Sequence, residues 1–330
     1  MSRTNKQWLL ARRPQGAVQP ADFELVERPV SALAEGQLLV QHQYLSLDPY
    51  MRGRMDEAKS YAAPQPLGEP MIGGTVGEVV ESRNSSFPVG SLVVGMGGWQ
   101  QLSISDGRGL MPAPRNVPPS VCLGAAGMPG VTAWYGLTQI GKPRSGETVV
   151  VSAAAGAVGS VVGQLARLRG CRAVGIAGGP EKCRHVVEEL GFDACLDYRA
   201  ADFRAALKAA VPGGVDVLFE NVGGGVLDAV LARMNAFGRV ALCGLIAGYD
   251  GQDIAIRNVR PLLTSRILVQ GFIVSDHLEV WPEALRELTG LVAAGKLRYR
   301  ETVAQGLESA PRAFIGLLKG ENLGKQLVKL

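Results

Sequence analysis

Between Trp8 and about Leu123, apolar and polar positions alternate over short runs: WLLAR, FELVER, QLLVQHQYLSL, GGTVGEVVES, SLVVGM and WQQLSIS. Glycine and proline break these runs, so the pattern predicts half-buried strands of a partly antiparallel β domain. After AAGMPGVTAWYGL the texture changes. Apolar runs (ETVVVSA, RAVGIAG, ACLDY, VDVLFENVG, GRVALCG, RILVQGFIV) now alternate with segments of helical period (AVGSVVGQLARLRG, PEKCRHVVEELG, DFRAALKAAV, GVLDAVLARM). Such βαβα repetition predicts an α/β domain, a doubly wound parallel sheet with helices on both faces. It extends from about Gly127 to Val274 and is followed by a helix in PEALRELTGLVAAGK. The tail returns to mixed texture, with a short helix and a final apolar strand.

One stretch needs separate treatment. Val149 to Ala166, VVVSAAAGAVGSVVGQLA, carries no charge, and Gly159 with Gly163 forms a GxxxG pair. Length alone would allow a membrane span. Composition argues against it, since alanine and glycine are weakly apolar, Ser152, Ser160 and Gln164 interrupt the run, and no second candidate span exists. Parsed by period, the stretch is instead a strand (TVVVSA), a turn (AAGAVG) and a helix (SVVGQLARL).

Composition adds bounds. The 330 residues are 47% hydrophobic and 19% charged, ordinary globular material sufficient for two domains. The net charge of +4 comes from 34 basic and 30 acidic residues without basic blocks, so no nucleic-acid partner is needed to explain it. No apolar segment of signal-peptide length follows the basic start, and a cytoplasmic protein is the expectation. Cys122, Cys171, Cys183, Cys195 and Cys243 are odd in number, widely spaced and free of CxxC pairs, which suits reduced, mostly buried thiols.

The strand, turn and helix place Ala154, Gly156 and Gly159 on the three glycine positions of the dinucleotide fingerprint GxGxxG. The second lets the backbone approach a pyrophosphate, and the third lets the helix pack on the strand. The first is alanine, which weakens the motif, but the βαβ context that it requires is present. Amides at the helix start would then face an anion. An NAD site has an acid about twenty residues further on. Here that region reads Ile176, Ala177, Gly178, Gly179, followed by Lys182 and Arg184, which favours a 2′-phosphate and hence NADP(H). VLFENVGGG, VALCGLIAGY and GFIVSD end further strands in glycine and polar residues, as the lip of a cofactor cleft would.

LSLDPYMRGRM, IGGTVGEVVES, GMPGVTAWYGL, SAAAGAVGSVVGQLA, FENVGG, LCGLIAGY and GENLGKQLV together resemble the zinc-independent medium-chain dehydrogenase/reductases. Within them the resemblance is to the group of prostaglandin reductases, leukotriene B4 12-hydroxydehydrogenases, plant double-bond reductases and curcumin reductases, and it covers nearly the whole chain. It implies a GroES-like β-rich catalytic domain (1–126), a Rossmann NADP-binding domain (127–297) and a tail (298–330) that returns to the first domain. It also implies NADPH-dependent reduction of the carbon–carbon double bond of lipophilic α,β-unsaturated aldehydes and ketones, in a homodimer. By motif position, Gly156, Ala157, Val158 and Gly159 would hold the pyrophosphate, with Lys182 and Tyr198 at the 2′-phosphate. Asn221, the loop Cys243, Gly244, Leu245, Ile246, Ala247, Gly248 and Tyr249, then Phe272, Ile273 and Val274, and Asn322 of the tail would line the rest.

Without a metal, the charge that develops on a substrate carbonyl oxygen needs a hydrogen-bond donor. Tyr249 is the first candidate and Tyr50 the second, as donor or pocket wall, although either ring could simply pack. Met51, Met55, Met128 and Trp99 could add apolar pocket surface or serve the core. His42, His185 and His277 are scattered, and no closely spaced cysteine cluster suits zinc. A quinone reductase, an alcohol oxidoreductase and a non-catalytic NADPH-binding protein remain as rival readings, because function resides in the site and not the fold.

Overall fold

The computed structural model describes residues 3–252 and 254–330. The chain divides into two compact units. The first comprises the chain up to Leu123 together with Glu301–Asn322 and Gln326–Leu330, and the second comprises Gly124–Arg300 with Leu323–Lys325.

In the first unit the short alternating runs form strands β1 (Thr4–Leu10), β2 (Phe23–Pro29) and β3 (Leu38–Ser46), a one-turn helix α1 (Tyr50–Arg54), and strands β4 (Thr75–Ser82), β5 (Leu92–Gly95), β6 (Leu102–Ser105) and β7 (Met111–Pro112). In the second unit follow α2 (Met128–Tyr135), β8 (Thr148–Ser152), α3 (Gly159–Leu168), β9 (Arg172–Ala177), α4 (Pro180–Arg184), β10 (Ala194–Asp197), α5 (Phe203–Ala210), β11 (Val215–Glu220), α6 (Gly224–Leu231), β12 (Met234–Leu242), α7 (Arg260–Thr264), β13 (Leu268–Gly271) and α8 (Trp281–Ala293). The tail supplies β14 (Glu301–Gln305), α9 (Ala310–Leu318) and β15 (Lys325–Lys329).

Strands β14, β15, β3, β4, β5 and β7 lie side by side in one sheet, with β6 also paired to β3, while β1 and β2 form an antiparallel pair. Tail strand β15 is thus a neighbour of β3, antiparallel with Leu327 opposite Ser46. The core of this unit joins Leu10, Leu45, Leu47 and Val328 to Met51, Met55, Met71, Trp99 and Phe314, all shielded from solvent. Trp99 stacks on Phe23 at 5.2 Å and meets Phe314 edge-on at 5.5 Å. Met51, Met55 and Trp99 are therefore core residues, the second of the two uses that the sequence left open. An unbranched methionine on a one-turn helix fills gaps between aromatic rings, and a sequence does not separate that use from a pocket wall.

The second unit is built on a six-stranded parallel sheet in the order β10-β9-β8-β11-β12-β13. Numbered along the chain, that is the 3-2-1-4-5-6 order of a doubly wound dinucleotide fold, and the order reverses between β8 and β11. Val149, Val150 and Val151 of β8 are wholly buried because helices cover both faces of the sheet. Such burial contributes roughly 1.5–3 kcal/mol per side chain.

The uncharged run from Val149 is explained by this packing. No helix among the described residues is long and apolar enough to cross a membrane. Gly163 faces the ring of Phe192, and a Cβ there would stand 1.9 Å from its Cζ. The buried polar residues also have partners. Gln164 donates to the Arg298 carbonyl at 2.8 Å and accepts from the Arg298 amide at 2.8 Å. The Gly163→Ala protein should accordingly lose about 1–3 kcal/mol of stability through overpacking. A urea titration showing an unchanged midpoint would contradict this account of Gly163.

Candidate active site

At the end of β8 the chain must turn sharply into α3. Ala153 takes the left-handed conformation, with φ of 49°, which is uncommon for a residue with a side chain. Ala154, in the first fingerprint position, is not the strained residue. Its methyl instead fills space over the next strand, where a Cβ on Gly175 would stand 2.8 Å from it. The alanine is therefore matched to a glycine on β9.

The third position is the tightest. A Cβ on Gly159 would lie 2.4 Å from the Ala153 carbonyl oxygen, and one on Gly156 would lie 3.2 Å from the same atom. Helix α3 thus starts in backbone contact with the turn. Gly156 donates to the Ala153 carbonyl, whereas the amides of Ala157 and Val158 have no hydrogen-bond partner among the described residues. Residues 156 to 158 are half-buried, so open amides meet the positive end of a ten-residue helix, the arrangement that binds a phosphate. Gly324 of the tail braces the turn from behind by donating to the Ala155 carbonyl at 2.9 Å.

Strand β9 ends in Ala177, Gly178 and Gly179 without an acid. Lys182 follows on α4, half-buried, and its ammonium is held below the usual lysine range by burial and by Arg199. Tyr198 and Arg199 come from the end of β10, with the guanidinium carbon 5.6 Å from the tyrosine ring centre. A Cβ on Gly178 would stand 3.0 Å from Tyr198 and 3.1 Å from Arg199, so the glycine lets both side chains close over the strand end. The carboxylate nearby, Asp197, accepts from the backbone amides of Gly179 (2.9 Å) and Arg199 (3.0 Å), and these bonds hold it below the usual aspartate range. It organises the loop. Arg199 escaped the sequence reading, whose twenty-residue rule stops at β9. The signal was the pair YR at the close of the following strand.

Between β8 and β11 lies a buried polar knot. Ser152 Oγ accepts from the Asn221 amide at 2.7 Å, and Asn221 Nδ2 donates to the Ser152 carbonyl at 2.8 Å. Glu220, wholly buried, accepts through Oε1 from the amides of Val222 and Gly223, each at 2.6 Å. Burial raises its carboxyl above the usual range in spite of those bonds. The Cys243 thiol is likewise pushed up to about 12 by burial and by Glu220. Asn221 Nδ2 and the Cys243 thiol are consequently part of the scaffold. Ser152 and Glu220 were missed, and a glutamate closing an apolar strand was the available signal.

After β12 the chain curls through Gly244, Leu245, Ile246, Ala247 and Gly248 to Tyr249. The loop is tied back by Ile246 donating to the Asn221 carbonyl (3.1 Å) and Ala247 to the Val222 carbonyl (3.0 Å). A Cβ on Gly244 would lie 3.8 Å from the Tyr249 hydroxyl, so that hydroxyl folds back beside the end of β12. Phe272, after β13, turns its ring inward, 5.4 Å from Tyr135 and 6.2 Å from Phe219. Ile273 and Val274 continue the same segment.

The turn Gly156–Gly159, Lys182, Tyr198, Asn221, the 243–249 loop and Phe272–Val274 all belong to the second unit, after successive strands or on the helix that follows one. Tyr50 and Asn322 belong to the first unit. Tyr50 opens α1, and burial and nearby Asp48 push its hydroxyl well above the tyrosine range, so it stays a donor. Asp48 itself accepts a short hydrogen bond from Ser46.

His42 bonds Ser103 at 2.9 Å, His277 bonds the Tyr135 hydroxyl at 2.8 Å, and His185 stands 3.1 Å from Glu189. Among the described residues no three histidine, cysteine or carboxylate side chains group as metal ligands do. Two of the five cysteines, Cys122 and Cys171, are buried and three are half-buried, which corrects the expectation of mostly buried thiols.

The strand order, the turn and the acid-free end of β9 define a two-unit dinucleotide-dependent oxidoreductase. Residues 6–113 match the family described as the N-terminal domain of oxidoreductase, and residues 157–290 match the zinc-binding dehydrogenase family. The donor set for zinc is not assembled among the described residues. The chain is 48% identical to the NADPH-dependent curcumin reductase of Escherichia coli, over 99% of this chain and 97% of that one. It is 42% identical to the 2-alkenal reductase (NADP(+)-dependent) of Nicotiana tabacum, over 98% and 97%. The crystal structure of CurA in complex with NADPH from Vibrio vulnificus superimposes with a TM-score of 0.93 at 47% identity, covering 98% of both chains. The chain belongs to the zinc-independent medium-chain dehydrogenase/reductases.

The raised Glu220 pKa makes a signed prediction. The folded state keeps a proton that the unfolded state releases, so this group's contribution to stability is complete below the ordinary glutamate range and is lost as pH rises through the raised value. Glu220→Gln should flatten that part of the profile in urea titrations across a pH series. An identical slope in both proteins would contradict the buried, proton-retaining carboxyl.

Proposed function

We propose that the protein reduces the carbon–carbon double bond of α,β-unsaturated aldehydes and ketones with NADPH. The observation that carries the cofactor choice is the end of β9, which itself carries no acid and where Lys182 and Arg199 stand, the neighbouring Asp197 being engaged by the backbone amides of Gly179 and Arg199. The reaction is the one that the names of the 2-alkenal reductase and the curcumin reductase point to, and each of these relatives aligns with almost the whole chain. The cradle fits the cofactor, because Gly159 and Gly156 leave no side chain between the turn and an incoming pyrophosphate.

When bound, NADPH supplies the hydride. The chain's own residues do the rest. The amides of Ala157 and Val158 bind the pyrophosphate, and Lys182, Tyr198 and Arg199 hold the 2′-phosphate. The Tyr249 hydroxyl hydrogen-bonds the substrate carbonyl oxygen as negative charge collects there, since a neutral phenol can donate to an oxyanion without losing its proton at physiological pH. Tyr50 is the second donor or a wall for the substrate, and Asn322 closes on the cofactor from the tail. The domain limits follow as a catalytic domain to about residue 126, a nucleotide domain to about 297 and a returning tail.

The substrate is a small lipophilic enal or enone. A cytoplasmic homodimer completes the reading. The dimer is supported by strand β13, which ends the parallel sheet with one edge unpaired among the described residues and exposes Leu268 and Val269 beside Leu263 of α7.

Oxidation of NADPH with a short 2-alkenal should yield the saturated aldehyde, and Tyr249→Phe should lower kcat about tenfold or more at saturating NADPH. Full turnover by Tyr249→Phe would remove that residue from the mechanism. An allylic alcohol as product would replace the proposed reaction with carbonyl reduction.

A further inference from the structure

Cys183 and Cys195 are twelve residues apart in sequence and belong to different elements. Cys195 lies on β10 opposite Gly175 of β9, and its sulfur lies over that glycine, 3.2 Å from where a Cβ would stand. The same face of Gly175 is covered by Val186, just beyond α4, and Cys183 sits on α4 itself. The two thiols act on each other across the α4–β10 packing, and both are half-buried. Asp197 of β10 stands near both thiols, and Lys182, which precedes Cys183 on α4, is flanked by Glu181 and Arg199.

The geometry points to a site of oxidation: we propose that Cys183 and Cys195 form a reversible disulfide under hydroperoxide, and that this bond weakens the grip on the 2′-phosphate of NADPH. The second half rests on the cofactor reading above.

Their interaction makes the two sulfurs unequal. It holds the Cys183 thiol below the usual range and pushes Cys195 up, so Cys183 is the nucleophile of the pair and Cys195 the proton donor. The Cys183 thiolate attacks the outer oxygen of the hydroperoxide, an S–O bond forms, the O–O bond breaks, and the departing alkoxide or hydroxide takes a proton. The Cys195 sulfur then attacks the Cys183 sulfenic sulfur, and the S–S bond replaces the S–O bond. The oxygen leaves as water with the Cys195 proton. Two thiols lose two electrons, and the hydroperoxide is reduced to an alcohol, or water, plus a second water.

The consequence follows from what each cysteine adjoins. Cys183 comes directly after Lys182, and its amide donates to the Gly179 carbonyl at 3.2 Å. Cys195 comes two residues before Asp197, which holds the Gly179 and Arg199 amides. A disulfide draws the sulfurs to about 2.0 Å, much closer than two separate thiols can approach. Helix α4 has five residues and begins at Gly179, with φ of 96°, so the helix start carrying Lys182 is the part able to move.

The test uses the full-length protein and hydrogen peroxide. Peptide mapping of the cofactor-free protein after peroxide should find Cys183 joined to Cys195, reversed by dithiothreitol. The KM for NADPH should rise about fivefold or more, with the NADH-supported rate unchanged. Cys183→Ser and Cys195→Ser should each keep the reduced-state KM and lose the response. Peptides that remain as thiols, or that pair with other cysteines, would overturn the oxidation site. A Cys183–Cys195 disulfide that leaves the NADPH KM unchanged would overturn its coupling to the cofactor. If the reduced protein does not prefer NADPH to NADH, the 2′-phosphate reading fails and the coupling falls with it. The peptide map then still decides the disulfide.

Discussion

The second unit depends on one close approach of backbone to backbone, the start of α3 against the carbonyl of Ala153. At 2.4 Å from that oxygen there is room for the hydrogen of Gly159 and for nothing larger. This contact lets α3 begin just after β8, and the amides of Ala157 and Val158 ahead of it have no hydrogen-bond partner among the described residues. It also requires the chain to reverse abruptly, which Ala153 accomplishes in a left-handed conformation that costs roughly 1–2 kcal/mol. The buried surroundings and the Gly324 hydrogen bond to Ala155 hold it there. An ordinary turn would relax such strain, whereas one fixed between a buried strand and a buried helix retains it.

A second layer supports the first. Where the strand order reverses, Ser152, Glu220 and Asn221 tie the ends of β8 and β11 to the loops that follow them. Polar groups without solvent are costly unless bonded, and these are bonded mainly to backbone. The loop after β12 is tied to them in turn, Ile246 donating to the Asn221 carbonyl and Ala247 to the Val222 carbonyl, and the Tyr249 hydroxyl lies beside the end of β12.

The period of the apolar residues was enough to expose both kinds of sheet, because half-buried antiparallel strands alternate and doubly covered parallel strands do not. The phosphate turn was legible for the same reason, as its glycines answer local steric demands. Contacts between elements distant in sequence were not legible. Arg199 reaches Gly178 only through the pairing of β10 with β9, and Cys183 meets Cys195 only because α4 packs on β10. Side-chain direction was hidden too. Phe272, to which the resemblance gives a lining position, turns its ring toward Phe219, and Met51, Met55 and Trp99 fill the core of the first unit. Ala154 shows how a departure from a motif is absorbed, since its added methyl occupies space that Gly175 leaves free.

A single substitution at Gly159 tests whether its contact with Ala153 shapes the cofactor site. The most direct measurement is the affinity of Gly159→Ala for NADPH, by fluorescence or calorimetry, with thermal unfolding recorded on the same sample. The result predicted is a protein that unfolds cooperatively but binds NADPH at least about tenfold more weakly, some 1.4 kcal/mol. Wild-type affinity in a folded Gly159→Ala protein would contradict it.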